Sequence, residues 1–490
     1  MKNIITIALV IFLLVSCGTP KRNFNTPDLG LHLDENYLTV DGKTSFDNSQ
    51  PIAEWWQLFN DPTLDSLIAK ARTNNLDINS AVANLYAARA VLKGTKLDRL
   101  PTVTANGNFV RQRLGENVFA EGSNPTFSQY NGSFDAFWEL DLFGRVTNRL
   151  KGAKSYEQSA LAEMNSVYVS IFAEVARNYM ELRGAQYLLD IAERNLKNQQ
   201  ETYDLTVRLS NAGTTNSLDV ARALAQLKTT QASIPSIQAR IESIKNSLSI
   251  LIGEVPGNLT DNVVDNKPLP DLPASVLVGN VEDLLRRRPD IMRAENELAQ
   301  RIAQYNISVA ELYPKISFNG AIGFSAIDFS NLGKNQSFTW NLAPQISWAA
   351  FNLGRVRQQI RQQDALTIKA LNQYEKVVLQ ALEEIRTAMS NYTNELNRRE
   401  LLGKASEASN DAAAFSEQRF KAGLDSFLDY LSADRTLLRT EIELAQSETT
   451  AVTGLIAIYK ALGGGWEIIG DGEMEIKYNQ MRSTDTSMNR

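Results

Sequence analysis

Apolar and polar positions along the chain repeat with two different periods. Between residues 130 and 141 they alternate: Tyr130, Gly132, Phe134, Ala136, Trp138 and Leu140 oppose Asn131, Ser133, Asp135, Glu139 and Asp141, with Phe137 out of pattern. The same alternation recurs at 316–325 and 338–348, and more weakly at 102–110, which predicts β-strands at about 101–112, 129–141, 314–325 and 338–349. Elsewhere the spacing is three and four. Met164, Tyr168, Ile171, Val175, Leu182, Ala185 and Leu189 form one such seam, interrupted by Asn178; Val378, Leu382, Ile385, Met389, Tyr392 and Leu396 form a second. They predict long helices at about 145–209 and 354–420, with hairpin partners at about 216–253 and 424–462. Shorter helices are expected at 76–99 and 289–313, the first stopped by Pro101.

The elements come in two copies. Asp77 and Asp290, Ile78 and Ile291, and Pro101 and Pro314 share an offset of 213, while Trp138 and Trp348, Gly144 and Gly354, Arg145 and Arg355, and Gly253 and Gly463 share 210. The repeats run over about 55–265 and 268–478, joined by the Pro-rich stretch Pro256 to Pro273, and a polar tail fills 479–490. Each reads as helix, two strands, then two long helices. At about 1.5 Å per residue, the 145–209 helix is roughly 96 Å long, close to its hairpin partner and the earlier short helix laid end to end. The second repeat gives the same match.

Strands of about ten residues, apolar on one face and polar on the other, with aromatics near their ends, have the pattern of a membrane β-barrel. Four strands cannot close a barrel, and the smallest membrane barrels have about eight. A membrane-spanning role therefore demands further copies of the chain, and three copies would supply twelve strands.

The amino terminus changes the picture. Lys2 precedes an apolar run, Ile4 to Val15, too short to span a bilayer. Leu14-Val15-Ser16-Cys17 looks like a lipobox, so residues 1–16 read as a signal peptide and 17–54 as a linker carrying lipid on Cys17. Gly18 after it favours delivery to the outer membrane. With one Cys and one His (His32) in the whole chain, an internal disulfide, a His/Cys metal cage and a Cys–His nucleophile are excluded. The net charge of −6 argues against a nucleic-acid partner. There is no GxxxxGK[ST] loop and no catalytic constellation, so neither a resident cofactor nor enzyme activity is expected.

"WWQLFNDPTLDSLI" at 55–68, "LFGR" at 142–145, "LLRRRPDI" at 284–291, "FNLGRV" at 351–356 and "YKALGGGW" at 459–466, together with the lipobox, resemble the TolC-like outer-membrane factors. The branch is the lipoprotein, OprM/NodT-like one of resistance-nodulation-division multidrug efflux systems. The resemblance implies a mainly α chain with a β membrane part. Its homotrimer would form a twelve-stranded outer-membrane barrel continued by a periplasmic α-helical barrel. It also implies a periplasmic adaptor and an inner-membrane transporter as partners, and a passive duct for small molecules. A type I protein-secretion duct is the alternative within that architecture, and a lipid-anchored coiled-coil scaffold without a pore is the alternative outside it.

Residues then acquire expected roles. Gly144-Arg145 and Gly354-Arg355 mark the strand-to-helix junctions, with Asp141 and Asn352 as helix caps. The turns at 209–220 and 419–435 would converge on the periplasmic aperture, with Asp219, Asp425, Asp429 and Asp434 as candidate carboxylates. The family's second tip usually reads Leu-Asp-Ala-Gln; here Leu431-Ser432-Ala433-Asp434 puts Ser432 at the usual carboxylate position. Leu428, with Phe427, is the apolar alternative for a constriction.

Overall fold

The computed structural model describes residues 22–25, 45–47, 49, 51–113, 115, 126–259, 266–273 and 275–488. Cys17, the signal peptide and most of the expected linker lie outside the described residues. The described strands are β1 (Ser45–Asp47), β2 (Thr102–Arg113), β3 (Thr126–Leu140), β4 (Ser275–Leu277), β5 (Lys315–Ala326) and β6 (Phe338–Ser347). The helices are α1 (Pro62–Asn74), α2 (Leu76–Leu97), α3 (Arg145–Asn211), α4 (Ser217–Leu251), α5 (Val281–Arg287), α6 (Pro289–Ala310), α7 (Leu353–Lys421), α8 (Phe427–Ala461) and α9 (Asp471–Met488). The two long helices have 67 and 69 residues, and their hairpin partners 35 each. The ten elements expected from periodicity are present within a few residues of their expected ends.

The chain divides into two compact units. One gathers Leu85–Ala160 and Arg293–Glu375 with residues 22–25. Its centre is an antiparallel sheet ordered β2-β3-β5-β6, so the hairpins of the two repeats pair through β3 and β5. The register places Phe109 opposite Tyr130, Phe134 opposite Ile322, Trp138 opposite Phe318 and Ile322 opposite Trp340, all on one face. Phe134, Ile322, Trp340, Leu342 and Ile346 are exposed there. An uncovered apolar face of this breadth needs an apolar solvent or a partner. The edge strands β2 and β6 each leave one side unpaired among the described residues.

The junctions above the long helices repeat a single device. Trp138 donates its indole N–H to the Arg99 carbonyl at 3.1 Å, and Trp348 donates to the Leu312 carbonyl at 3.0 Å. Asp141 caps α3 with both carboxylate oxygens, accepting from the Val146 and Thr147 amides at 2.9 and 2.7 Å. Asn352 offers α7 its backbone carbonyl, which accepts from Arg355 and Val356. The glycines diverge. Gly144 sits at φ +80°, where only glycine is unstrained, whereas Gly354 lies in the first turn of α7 with ordinary φ. Arg145 chelates Glu139 and lies 4.0 Å from Glu311; Arg355 is exposed. The expectation of equivalent Gly-Arg pairs therefore holds in position but not in role.

The second unit gathers the described residues within 45–84, 161–292 and 376–488. Its core is the seam read from the sequence: Met164, Tyr168, Val175, Leu182, Val378, Ile385, Met389 and Tyr392 are buried. Several parts of it depart from expectation. α1 carries a helical period in its buried Leu64, Leu67, Ile68 and Ala71 that the sequence reading passed over, whereas α5 and the parallel pair β1–β4 are too short to carry one, and the described strands number six where four were expected. Residues 479–488, expected in a polar tail, belong to α9. That helix is held at its start by buried Met474, by Arg72 on Glu473, and by Lys477, whose ammonium donates to the Arg72 carbonyl at 2.6 Å. Burial pulls the Lys477 pKa down to about 8. Among the described residues no helix is long and apolar enough to cross a membrane.

Candidate functional site: the hairpin tips

The two helix hairpins end in turns built from one template. Each long helix closes on a glycine in the left-handed region, Gly213 at φ +77° and Gly423 at φ +74°. The next amide reaches back to the helix, Thr214 to the Leu209 carbonyl at 3.0 Å and Leu424 to the Arg419 carbonyl at 2.9 Å. The returning helices are capped alike. Asn216 accepts from the Asp219 amide at 3.0 Å, and the Ser426 hydroxyl accepts from the Asp429 amide at 3.3 Å.

This geometry sorts the candidate aperture residues. Asp219 accepts from the Thr215 hydroxyl at 2.8 Å and sits 3.4 Å from Arg222. Asp425 is held by the Arg419 guanidinium through two bonds of 2.7 and 2.8 Å, which keeps its carboxyl below the ordinary range. Asp429 accepts from the Ser426 hydroxyl at 2.6 Å and remains exposed, as do Leu428 and Ser432. Asp429 and Ser432 line one shallow hollow of about 400 Å³ with Ala408, Ser409, Ala433 and Thr436.

Two candidates lie elsewhere than expected. Phe427 is buried in the tip's own core with Ala223, Phe420, Tyr430 and Leu431, against Tyr203, Leu205 and Leu209 of α3. Phe420 stacks on Tyr430 with centroids 5.7 Å apart. Asp434 is 8% exposed and faces α3, where the Gln199 amide lies 3.4 Å from its carboxylate. About two turns of helix beyond the Ser426 cap this position faces inward, and a charged residue type gives no sign of it. Sequence reading also missed the aromatic cluster and the Thr202–Tyr430 hydroxyl contact of 3.0 Å that tie the hairpins together. Their signal was the crowding of Phe420, Phe427 and Tyr430 around a turn.

Burial pushes the Asp434 carboxyl pKa up, and nearby Glu417 and Glu441 add to the push. The folded hairpin thus binds this proton more tightly than the unfolded chain, whose value is 3.8. As pH falls through the raised folded pKa the hairpin gains stability, and the gain is complete below the unfolded value. Asp434→Asn is expected to stabilise the tip at neutral pH and to abolish this gain. Amide exchange in residues 427–437, compared at neutral and mildly acidic pH and corrected for intrinsic rates, measures both effects. Faster exchange in the variant at neutral pH would contradict the assignment.

A chain with an uncovered β-sheet, duplicated long coiled-coil hairpins and built tips has the makings of an envelope channel subunit, and comparison with known proteins agrees. The family model described as outer membrane efflux protein matches residues 67–254 and 280–464. The antibiotic efflux pump outer membrane protein ArpC of Pseudomonas putida is 31% identical over 439 residues, 88% of each chain. The toluene efflux pump outer membrane protein TtgC, also of Pseudomonas putida, is 29% identical over 493 residues, 99% of each. The solved outer-membrane channel OprN superposes with a TM-score of 0.86 at 37% identity, covering 92% of this chain and all of that one. The chain belongs to the outer membrane efflux protein family. It is an outer-membrane channel component of an efflux system, with the TolC-like fold.

Proposed function

We propose that three copies of this chain assemble into a passive duct that carries small organic molecules out of the cell. The observation that carries this reading is the four-stranded sheet, which is apolar on one face and unpaired at both edges. In a bilayer the open edges of β2 and β6 must be satisfied by neighbouring copies, because lipid offers no hydrogen bonds. The relatives ArpC and TtgC, named for antibiotic and toluene efflux, support small-molecule cargo over secreted protein. In this reading Cys17 carries lipid, the tips meet a periplasmic adaptor, and a resistance-nodulation-division transporter supplies the energy. Of the candidate tip side chains, Asp429, Ser432 and Leu428 are the exposed ones that would face the aperture.

The test is crosslinking in intact cells, followed by purification through the full-length chain. A trimer bearing labelled fatty acid, recovered with an adaptor and a transporter, is the expected result. Cys17→Ser is expected to lose the label and keep the trimer. A monomer released from membranes by salt would overturn the duct.

A further inference from the structure

Phe137 breaks the alternation of β3 in the sequence, and the sheet explains where the break falls. It pairs with Thr102 on β2 and Asn319 on β5. Its side chain therefore stands on the polar face, among Thr104, Asp135, Asn319 and Asn341. It is 49% exposed there. A hollow of about 280 Å³ opens beside it, floored by Ala321, whose small side chain sits opposite both Asp135 and Asn341. Asp135 lies two residues from Phe137 on the same face, about 7 Å away along the strand. Its carboxylate accepts from the Asn106 amide at 2.5 Å, while Asn319 donates to Gln345 at 3.1 Å.

Nothing in the fold asks for an aromatic ring here. The apolar face of the sheet lies on the opposite side, and the neighbours of Phe137 are amides, hydroxyls and a carboxylate. A half-exposed ring beside a carboxylate, over a shallow polar hollow, offers two attractions to one class of solute. The ring face attracts a cation and packs against apolar surface, and the carboxylate attracts the same positive charge. The amide-lined wall stays hydrated, so release remains easy.

We propose that Phe137 and Asp135 form a transient holding site for organic cations that carry an aromatic or alkyl body. This rests on the duct reading, in which the polar face lines the water-filled lumen. Threefold repetition would place three such stations at one level, a ladder rung for cationic amphiphiles and a repulsive one for anions. Neutral aromatics meet only the ring.

Binding of ethidium to the full-length protein in micelles, followed by fluorescence anisotropy against empty micelles, tests the site. Phenanthridine, whose ring nitrogen is unprotonated near neutrality, serves as the uncharged control. Phe137→Ser and Asp135→Asn are each expected to weaken ethidium about tenfold, within the range of a cation–π or single-charge contact. Phenanthridine should respond to Phe137→Ser alone, and Phe137→Tyr should retain both ligands. Equal ethidium affinity in the wild type and both variants would overturn the site. Conductance of the same preparations in planar bilayers separates the two levels. A wild-type protein that runs as a trimer or conducts but shows no site-dependent ethidium binding loses only the station, whereas one that runs as a monomer and never conducts loses the duct itself.

Discussion

Replacing Arg288 with alanine is expected to lower the stability of the helical unit by about 3 kcal/mol and to cut the amount of folded protein in the membrane severalfold. Arg288 is 8% exposed, and its guanidinium serves three acceptors. It bonds Asp290 at 2.8 Å, Glu384 of α7 at 2.7 Å, and the carbonyl of Ala461 at the end of α8. Removing it leaves that carbonyl without its donor and two carboxylates without their cation. Both carboxylates keep partial access to water, which holds the cost to the lower part of the range for broken buried pairs. Gly463 makes the contact possible. At φ +69° it ends α8 against Arg288, and a Cβ there would press on the Arg288 backbone at 3.2 Å. Thermal loss of helical circular dichroism checks the prediction. Arg288→Lys should recover only part of the loss, because an ammonium cannot reach three acceptors in a planar fork. An unchanged melting midpoint for Arg288→Ala would contradict it.

The first repeat solves the same problem with other chemistry. Asn75, at the position equivalent to Arg288, donates its side-chain amide to the Leu251 carbonyl at 2.9 Å, and Leu251 is equivalent to Ala461. The Asn75 carbonyl oxygen meanwhile caps α2 through the Asp77 and Ile78 amides. Gly253, equivalent to Gly463, lies at φ +73°, and a Cβ there would meet the Asn74 carbonyl at 2.6 Å. Duplication kept the geometry while the side chains drifted between a neutral amide and a paired cation.

That drift bears on what the sequence could reveal. Gly253 and Gly463 stand out in the sequence because a backbone constraint fixes the residue type. Arg288 and Asn75 do not match, because any donor of suitable reach satisfies a helix-end carbonyl. The long seams and the strand alternation were legible, since period depends on many residues and survives local exceptions. The β1–β4 pair, with three residues per strand, has no period to read. The same holds for the pairing of Tyr179, Asp61 and fully buried Arg183, in which residues far apart in the chain share one buried bond network. At the tips, the turns expected at 209–220 and 419–435 fall where Gly213 and Gly423 end the long helices. Asp434, one of five candidate polar groups, follows Phe427, Tyr430 and Leu431 at helical spacing onto the buried face of α8, where Gln199 of α3 meets it; its charge, read as a mark of exposure, hid that spacing.

Phe420→Ala is expected to raise the open probability of the duct by roughly 100-fold, the ratio that about 3 kcal/mol commands. Phe420 joins both hairpins of the protomer: it contacts Phe427 at 5.6 Å and Tyr430 at 5.7 Å between centroids, and its cluster includes Ala223 of α4 with Leu205 and Leu209 of α3 packed against it. Truncating a buried phenylalanine costs about 3–5 kcal/mol, and here the loss falls on a peripheral contact rather than on the main seams. The unit should stay folded while the α7–α8 tip parts from α3 and α4. Single-channel recordings and amide exchange should move together, with higher open probability and faster exchange in residues 420–431. Leu428→Ala provides the contrast. Leu428 is 52% exposed and outside the cluster, so its loss should change conductance without loosening the hairpin. Faster exchange with unchanged conductance in Phe420→Ala would show that the aromatic cluster holds the tip together but does not govern the aperture.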